Sequence, residues 1–171
     1  QFYEGAQATG AHVEPSETHV TSWGTSFVDL DLDGWDEIAT VFGPVWMGVP
    51  GDWSDRSSDP AVAELDDSEV QEDMIFRNEE GRFTDASSVL GFTQSDVGRA
   101  LVVADFNLDG RPDLATAGMT LDLHPYVQIW EGEGGCGPGV TVYFPEMGAK
   151  DIGAKVEWRV GGEERVRWFL P

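Results

Sequence analysis

Short apolar runs recur along the chain, each bounded by turn-forming residues. Trp23-Gly24-Thr25-Ser26-Phe27-Val28 enters a polar loop, and Ile38-Ala39-Thr40-Val41-Phe42-Gly43 leaves it. Ala100-Leu101-Val102-Val103-Ala104 and Leu114-Ala115-Thr116-Ala117-Gly118 frame a second polar loop in the same way. Such runs suit buried β-strands and are too short for typical helices. Ile75-Phe76-Arg77-Asn78 and Ile129-Trp130-Glu131-Gly132 are a further matched pair, and Phe2-Tyr3-Glu4 with Gly10 matches Phe83-Thr84-Asp85 with Gly91. The pattern predicts an all-β chain built from two copies of one antiparallel unit, the mark of an array architecture. A lone pair of such units cannot close a ring, and the first copy lacks its opening strand.

Three segments depart from this pattern. Residues 1–22 are polar and read as irregular. Residues 44–73 form an acidic insert in which Ala61 to Asp73 suits a short surface helix starting after Asp59-Pro60. Trp46 and Trp53 lie in the Gly/Pro-rich part of this insert, where tryptophans more often cover a core than bind a partner. A Gly-rich connector from Gly132 to Gly139 marks a boundary, which divides the chain into residues 1–134 and 135–171. Beyond it, Val140 to Phe144 reads as a strand. The alternating Ile152 to Val160, Gly161-Gly162 and Glu164 to Leu170 then read as a hairpin.

The two polar loops carry the chemistry. Asp29-Leu30-Asp31-Leu32-Asp33-Gly34-Trp35-Asp36-Glu37 recurs as Asp105-Phe106-Asn107-Leu108-Asp109-Gly110-Arg111-Pro112-Asp113. Carboxylate or amide oxygens fall at loop positions 1, 3, 5 and 9, with Gly at 6. A Ca²⁺ ion takes six to eight oxygens, and a short loop surrounds one by turning alternate side chains inward. The glycine permits the sharp turn this requires. Repetition of the same frame favours calcium over a merely acidic turn, so two Ca²⁺ sites are predicted.

Charge narrows the partners. The 171 residues include 32 acidic and 10 basic ones, for a formal net charge of −22. That argues against nucleic acid, whose phosphates need Lys and Arg, and against anionic membrane surfaces. Divalent cations, basic partners, a salty medium or plain solubility all remain compatible. With 40 % apolar residues the chain is not a disordered acidic tail, and no run reaches membrane-span length. The start at Gln1 rather than Met suggests a processed form or an excised piece. Cys136 is the single cysteine, so no internal disulfide can form, and a free, partly buried thiol is expected.

The motif Asp-x-Asp/Asn-x-Asp-Gly-x-x-Asp/Glu between two strands resembles the FG-GAP/VCBS repeats of integrin-α-like β-propellers. Arg77 to Asp85, Arg-Asn-x-x-Gly-x-Phe-Thr-Asp, is similar to their blade-linking segment. Residues 151–168 resemble the start of an ASPIC/UnbV domain, and repeats followed by that domain are the layout of the cartilage-acidic-protein family. The resemblance implies propeller blades over residues 1–134 and a β-domain over 135–171. It assigns Asp29, Asp31, Asp33, Glu37 and the Trp35 carbonyl to one ion. Asp105, Asn107, Asp109, Asp113 and the Arg111 carbonyl would hold the second. Glu37 replaces the usual closing Asp, Asn107 removes one charge, and Asp36 is read as a surface residue.

Function is expected to be non-catalytic: a calcium-binding, secreted, extracellular or periplasmic propeller segment for structure, adhesion or protein interaction. Its partner would be another protein or further blades. A glycan-binding module using Trp46 and Trp53 is the alternative, and a hydrolase or lyase using the clustered acids a weaker one. The acids already serve a repeated cation frame, His12, His19 and His124 lack metal-ligand spacing, and no Gly-x-Ser-x-Gly elbow occurs.

Overall fold

The computed structural model describes residues 4–13, 21–43, 72–120, 124–134, 155–160 and 162–168. Trp46, Trp53, His19, Cys136, the body of the 44–71 insert and the strand expected at Val140 to Phe144 lie outside them. The chain forms two compact units, residues 1–137 and 138–171.

In the first unit, the strands β1 (Ser22–Val28), β2 (Glu37–Phe42), β3 (Met74–Glu79) and β4 (Arg82–Asp85) make an antiparallel four-stranded meander. A second sheet has β5 (Val97–Ala104), β6 (Asp113–Met119) and β7 (Pro125–Trp130) in chain order. The expected strands are therefore present, with β5 starting three residues before Ala100. The acids Glu37 and Asp113 are the first residues of β2 and β6 rather than loop ends. The β3–β4 turn, Glu80-Gly81, has φ of 53° and 88°. Positive φ at both central residues matches the twist of a tight hairpin.

The repetition reaches detail that the apolar pattern does not display. Residues 6–9 are not irregular but form a one-turn helix, α1 (Ala6–Thr9), ended by Gly10 at φ 85°. Its counterpart is α2 (Ser87–Leu90), ended by Gly91 at φ 74°. In each copy an acid two residues upstream accepts an N–H of the first turn: Ala6 N to Glu4 Oε1 at 2.6 Å and Ser87 N to Asp85 Oδ1 at 2.9 Å. The first strands also carry the same irregularity, between Ser22 and Gly24 in β1 and between Gly98 and Ala100 in β5. The bulged residues Trp23 and Arg99 meet, with the guanidinium carbon 4.5 Å from the ring centroid.

The core lies between the two sheets. Val28, Ala39, Val41 and Ile75 from the first pack with Leu114, Leu101, Val103 and Trp130 from the second. Phe92, from the link between the sheets, joins them and meets Trp130 edge to face at 5.1 Å. Full burial of a Val, Leu, Ile or Phe side chain, as at Val41, Leu114 and Phe92, contributes roughly 1.5–3 kcal/mol each. Gly24 permits the close approach, because a Cβ there would stand 2.5 Å from the Leu101 nitrogen.

Paired residues share a face, so the packing has a direction. The second sheet turns its Val103–Leu114–Trp130 face toward the first. Its other face carries Ala100, Val102, Ala115, Ala117, Val127 and Ile129. There Val102 is 56 %, Ile129 54 % and Val127 76 % exposed. On the first sheet, Phe27 is exposed on the face turned away from the core.

In the second unit, β8 (Lys155–Val160) and β9 (Glu163–Trp168) pair antiparallel, and Gly162, just before β9, has φ 93°. Lys155, Glu157 and Arg159 are exposed while Val156 and Trp158 are half-buried, as the alternation predicts.

Candidate metal centre

Each acidic loop joins the first two strands of its sheet, and aspartates shape it locally. In the first loop Gly34 N–H donates to Asp29 Oδ2 at 3.0 Å, Asp33 N–H to Asp31 Oδ1 at 3.2 Å, and Trp35 N–H to Asp33 Oδ1 at 2.8 Å. In the second, Gly110 N–H donates to Asp105 Oδ2 at 2.9 Å, Asp109 N–H to Asn107 Oδ1 at 3.0 Å, and Arg111 N–H to Asp109 Oδ1 at 2.9 Å. Such side-chain-to-backbone bonds close turns without a ladder. Positive φ occurs at Gly34 (94°) and Gly110 (88°), as the turn requires, and also at Leu32 and Leu108, both 60°.

The acid at position 9 locks each loop to the sheet. Glu37 accepts Leu30 N–H at 2.8 Å and Asn78 N–H, from β3, at 3.3 Å. Asp113 accepts Phe106 N–H at 2.8 Å and Gly132 N–H, just past β7, at 2.9 Å. Glu37 is 2 % and Asp113 0 % exposed. Asn78 adds a second tie, donating to the Asp36 carbonyl at 2.8 Å and accepting Gly81 N–H at 2.8 Å. Asp36, expected at the surface, is half-buried at this junction.

The two loops differ electrically. Burial pushes the Glu37 carboxyl up to about 7, the charges of Asp31 and Asp33 adding to it while the Leu30 and Asn78 amides oppose. Asp113 is held below the usual carboxylate range, chiefly by the Gly132 N–H, against the opposing effect of its burial. In the first loop, ligand oxygens of Asp29, Asp31 and Glu37 all lie within 4.8 Å of one another. That spacing is about twice a Ca–O distance, and the donors are hard oxygens, so the three fit a single calcium ion. The Asp33 carboxylate is not part of this close group. Arg77 from β3 reaches in, its Nη2 2.8 Å from Asp31 Oδ2, and supplies positive charge from a half-exposed position.

Asp105, Asn107, Asp109, Arg111 and Asp113 follow the same backbone course. Asn107 replaces the carboxylate of Asp31, however, and its Nδ2 donates to Asp109 Oδ2 at 3.2 Å. Among the described residues, three acids gather closely enough for one ion only in the first loop. The ties from Asn78 and Gly132 and the reach of Arg77 are long-range features, which no local motif announces.

Two consecutive antiparallel sheets, packed face to face with a matching acidic loop at each first turn, define a repeat protein of the propeller-blade class. Residues 49–116 match the FG-GAP-like repeat family, a stretch that includes the whole second loop. The first loop, outside that match, is tied to it by the repeated geometry above. No curated protein and no solved structure matches the chain. Among the described residues, no helix is long and apolar enough to cross a membrane.

Proposed function

We propose that the chain is a calcium-binding segment of an extracellular β-propeller that serves adhesion, assembly or protein recognition. The observation that carries this reading is the close group of Asp29, Asp31 and Glu37, with one member buried and its carboxyl raised. Three carboxyl groups there repel one another, and a divalent cation would offset that repulsion and the desolvation together. Calcium is structural on this account: it ties β1 to β2 and, through Glu37 and Asn78, to β3. The second loop holds a weaker ion, since Asn107 and the amide-saturated Asp113 leave less uncompensated charge.

The role as one part of a larger assembly rests on the apolar face of the second sheet. Where the first sheet already covers the second, the contact joins opposite faces of two repeated units. Repeating that step would set another blade on Val102, Val127 and Ile129, and heterologous contacts of this kind build rings when the rotation closes. Residues 1–134 are then the blade segment, and the β8–β9 hairpin belongs to an ASPIC/UnbV-like domain over residues 135–171. Thermal unfolding with calcium and with a chelator, on the wild type and on Asp31→Ala plus Asp109→Ala, tests the calcium reading.

A further inference from the structure

The two repeats differ in one charged position that their strand pairing makes equivalent. β3 contains Ile75-Phe76-Arg77-Asn78, and β7 runs through Ile129-Trp130 into Glu131-Gly132. Phe76 pairs with Ile38 and Trp130 with Leu114, each one residue past the buried acid of its loop. Two residues further along, Asn78 and Gly132 each donate their N–H to that acid. Arg77 and Glu131 therefore hold the same place beside the two loops, with opposite charge. Both are exposed.

What Arg77 does there follows from Asp31. Asp31 Oδ1 accepts the Asp33 N–H at 3.2 Å, and Asp31 Oδ2 accepts Arg77 Nη2 at 2.8 Å. Asp31 is also one of the three acids whose oxygens gather within 4.8 Å of one another. The guanidinium thus rests on the same carboxylate group that a cation would join, and it offsets part of the repulsion there. With a Ca–O distance of about 2.4 Å, an ion on Asp31 would stand within about 5 Å of this charge. A double charge opposed by a single one at that range is bound about tenfold more weakly even in water. The arginine can instead swing out, since its side chain is 48 % exposed, at the cost of an exposed ion pair. By either route, calcium at the first loop binds against Arg77.

We infer that Arg77 is a tethered stand-in for the cation at the first loop, and that calcium enters by exchange with it. This rests on the calcium reading above and adds the residue that sets the affinity of the same site. Without calcium, Arg77 holds Asp31 beside Asp29 and Glu37, and the loop keeps its shape. With calcium, the guanidinium gives up Asp31, and the affinity falls below what the three acids alone would give. At the second loop the same place carries Glu131, so the exchange belongs to the first.

Equilibrium dialysis of the full chain with calcium at low ionic strength tests this, in an Asp109→Ala background that leaves the first loop to be read alone. The association constant should rise about three- to tenfold in Arg77→Gln, and further in Arg77→Glu, which installs the charge of the second repeat. Equal or lower constants in those two variants would overturn the exchange and leave the calcium reading standing. Calcium binding by none of the chains, the Arg77 parent included, would overturn both. NMR of the Arg77 Nε–H in the wild type decides the matter even where a variant fails to fold. Its signal should move with calcium at the midpoint of first-loop binding, and a signal that saturating calcium leaves in place refutes the exchange.

Discussion

Leu32 and Leu108 hold left-handed backbone conformations at the same position of the two loops, and Leu108 is 87 % exposed. A left-handed turn costs an L-residue roughly 1–2 kcal/mol, and glycine avoids that cost while losing roughly 0.5–1 kcal/mol in chain entropy. Leu108→Gly should therefore raise stability by about 0.5–1 kcal/mol, read as a higher urea midpoint. The loop glycines were legible as turn residues in the sequence; the leucines were not, because a leucine carries no local signal for positive φ. Asp73 was misread for a related reason. Its neighbours make an acidic run that looks solvated, and only tertiary pairing with Phe42 reveals that it is buried. The three acids that gather in the first loop stood out in the sequence by their spacing, since each falls at an alternate position of a frame that recurs in the second loop.

At the scale of elements, the strands follow the apolar runs closely because a half-buried sheet needs little more than those runs. The ties between strands do not follow from them. Asn78 bonds to Asp36 and Gly81 and stands beside Glu37, although 41 residues separate it from Glu37 in sequence. Asn78→Ala removes the bond to the half-buried Asp36 carbonyl and the acceptor of Gly81 N–H, and should lower stability by about 1–2 kcal/mol. Arg77→Ala, which removes only an exposed ion pair to Asp31, should change it by less than about 1 kcal/mol. Chemical denaturation of the two variants side by side checks the contrast. The bulges that bring Trp23 and Arg99 together were likewise invisible, since each is defined by the register of a distant partner strand.

For the whole molecule, the proposal of further blades grows from the repeat pattern in the sequence, and the exposed face of the second sheet is where one would sit. If that face receives another blade, Val127→Asp with Ile129→Asp should leave the stability of this chain within about 0.5 kcal/mol, since both side chains are exposed. The same change should abolish concentration-dependent association in sedimentation equilibrium. An unchanged association constant would remove the face from the account. All of this rests on a calcium ion fastening the first loop, as proposed. It is tested most directly by the melting temperature of the chain in excess chelator and across a calcium titration into the millimolar range typical of extracellular modules. A saturable rise is expected, reaching the equivalent of about 2.7 kcal/mol at a hundred times the dissociation constant, and no rise for Asp31→Ala with Asp109→Ala. Identical melting of the wild type with chelator and with saturating calcium would contradict it.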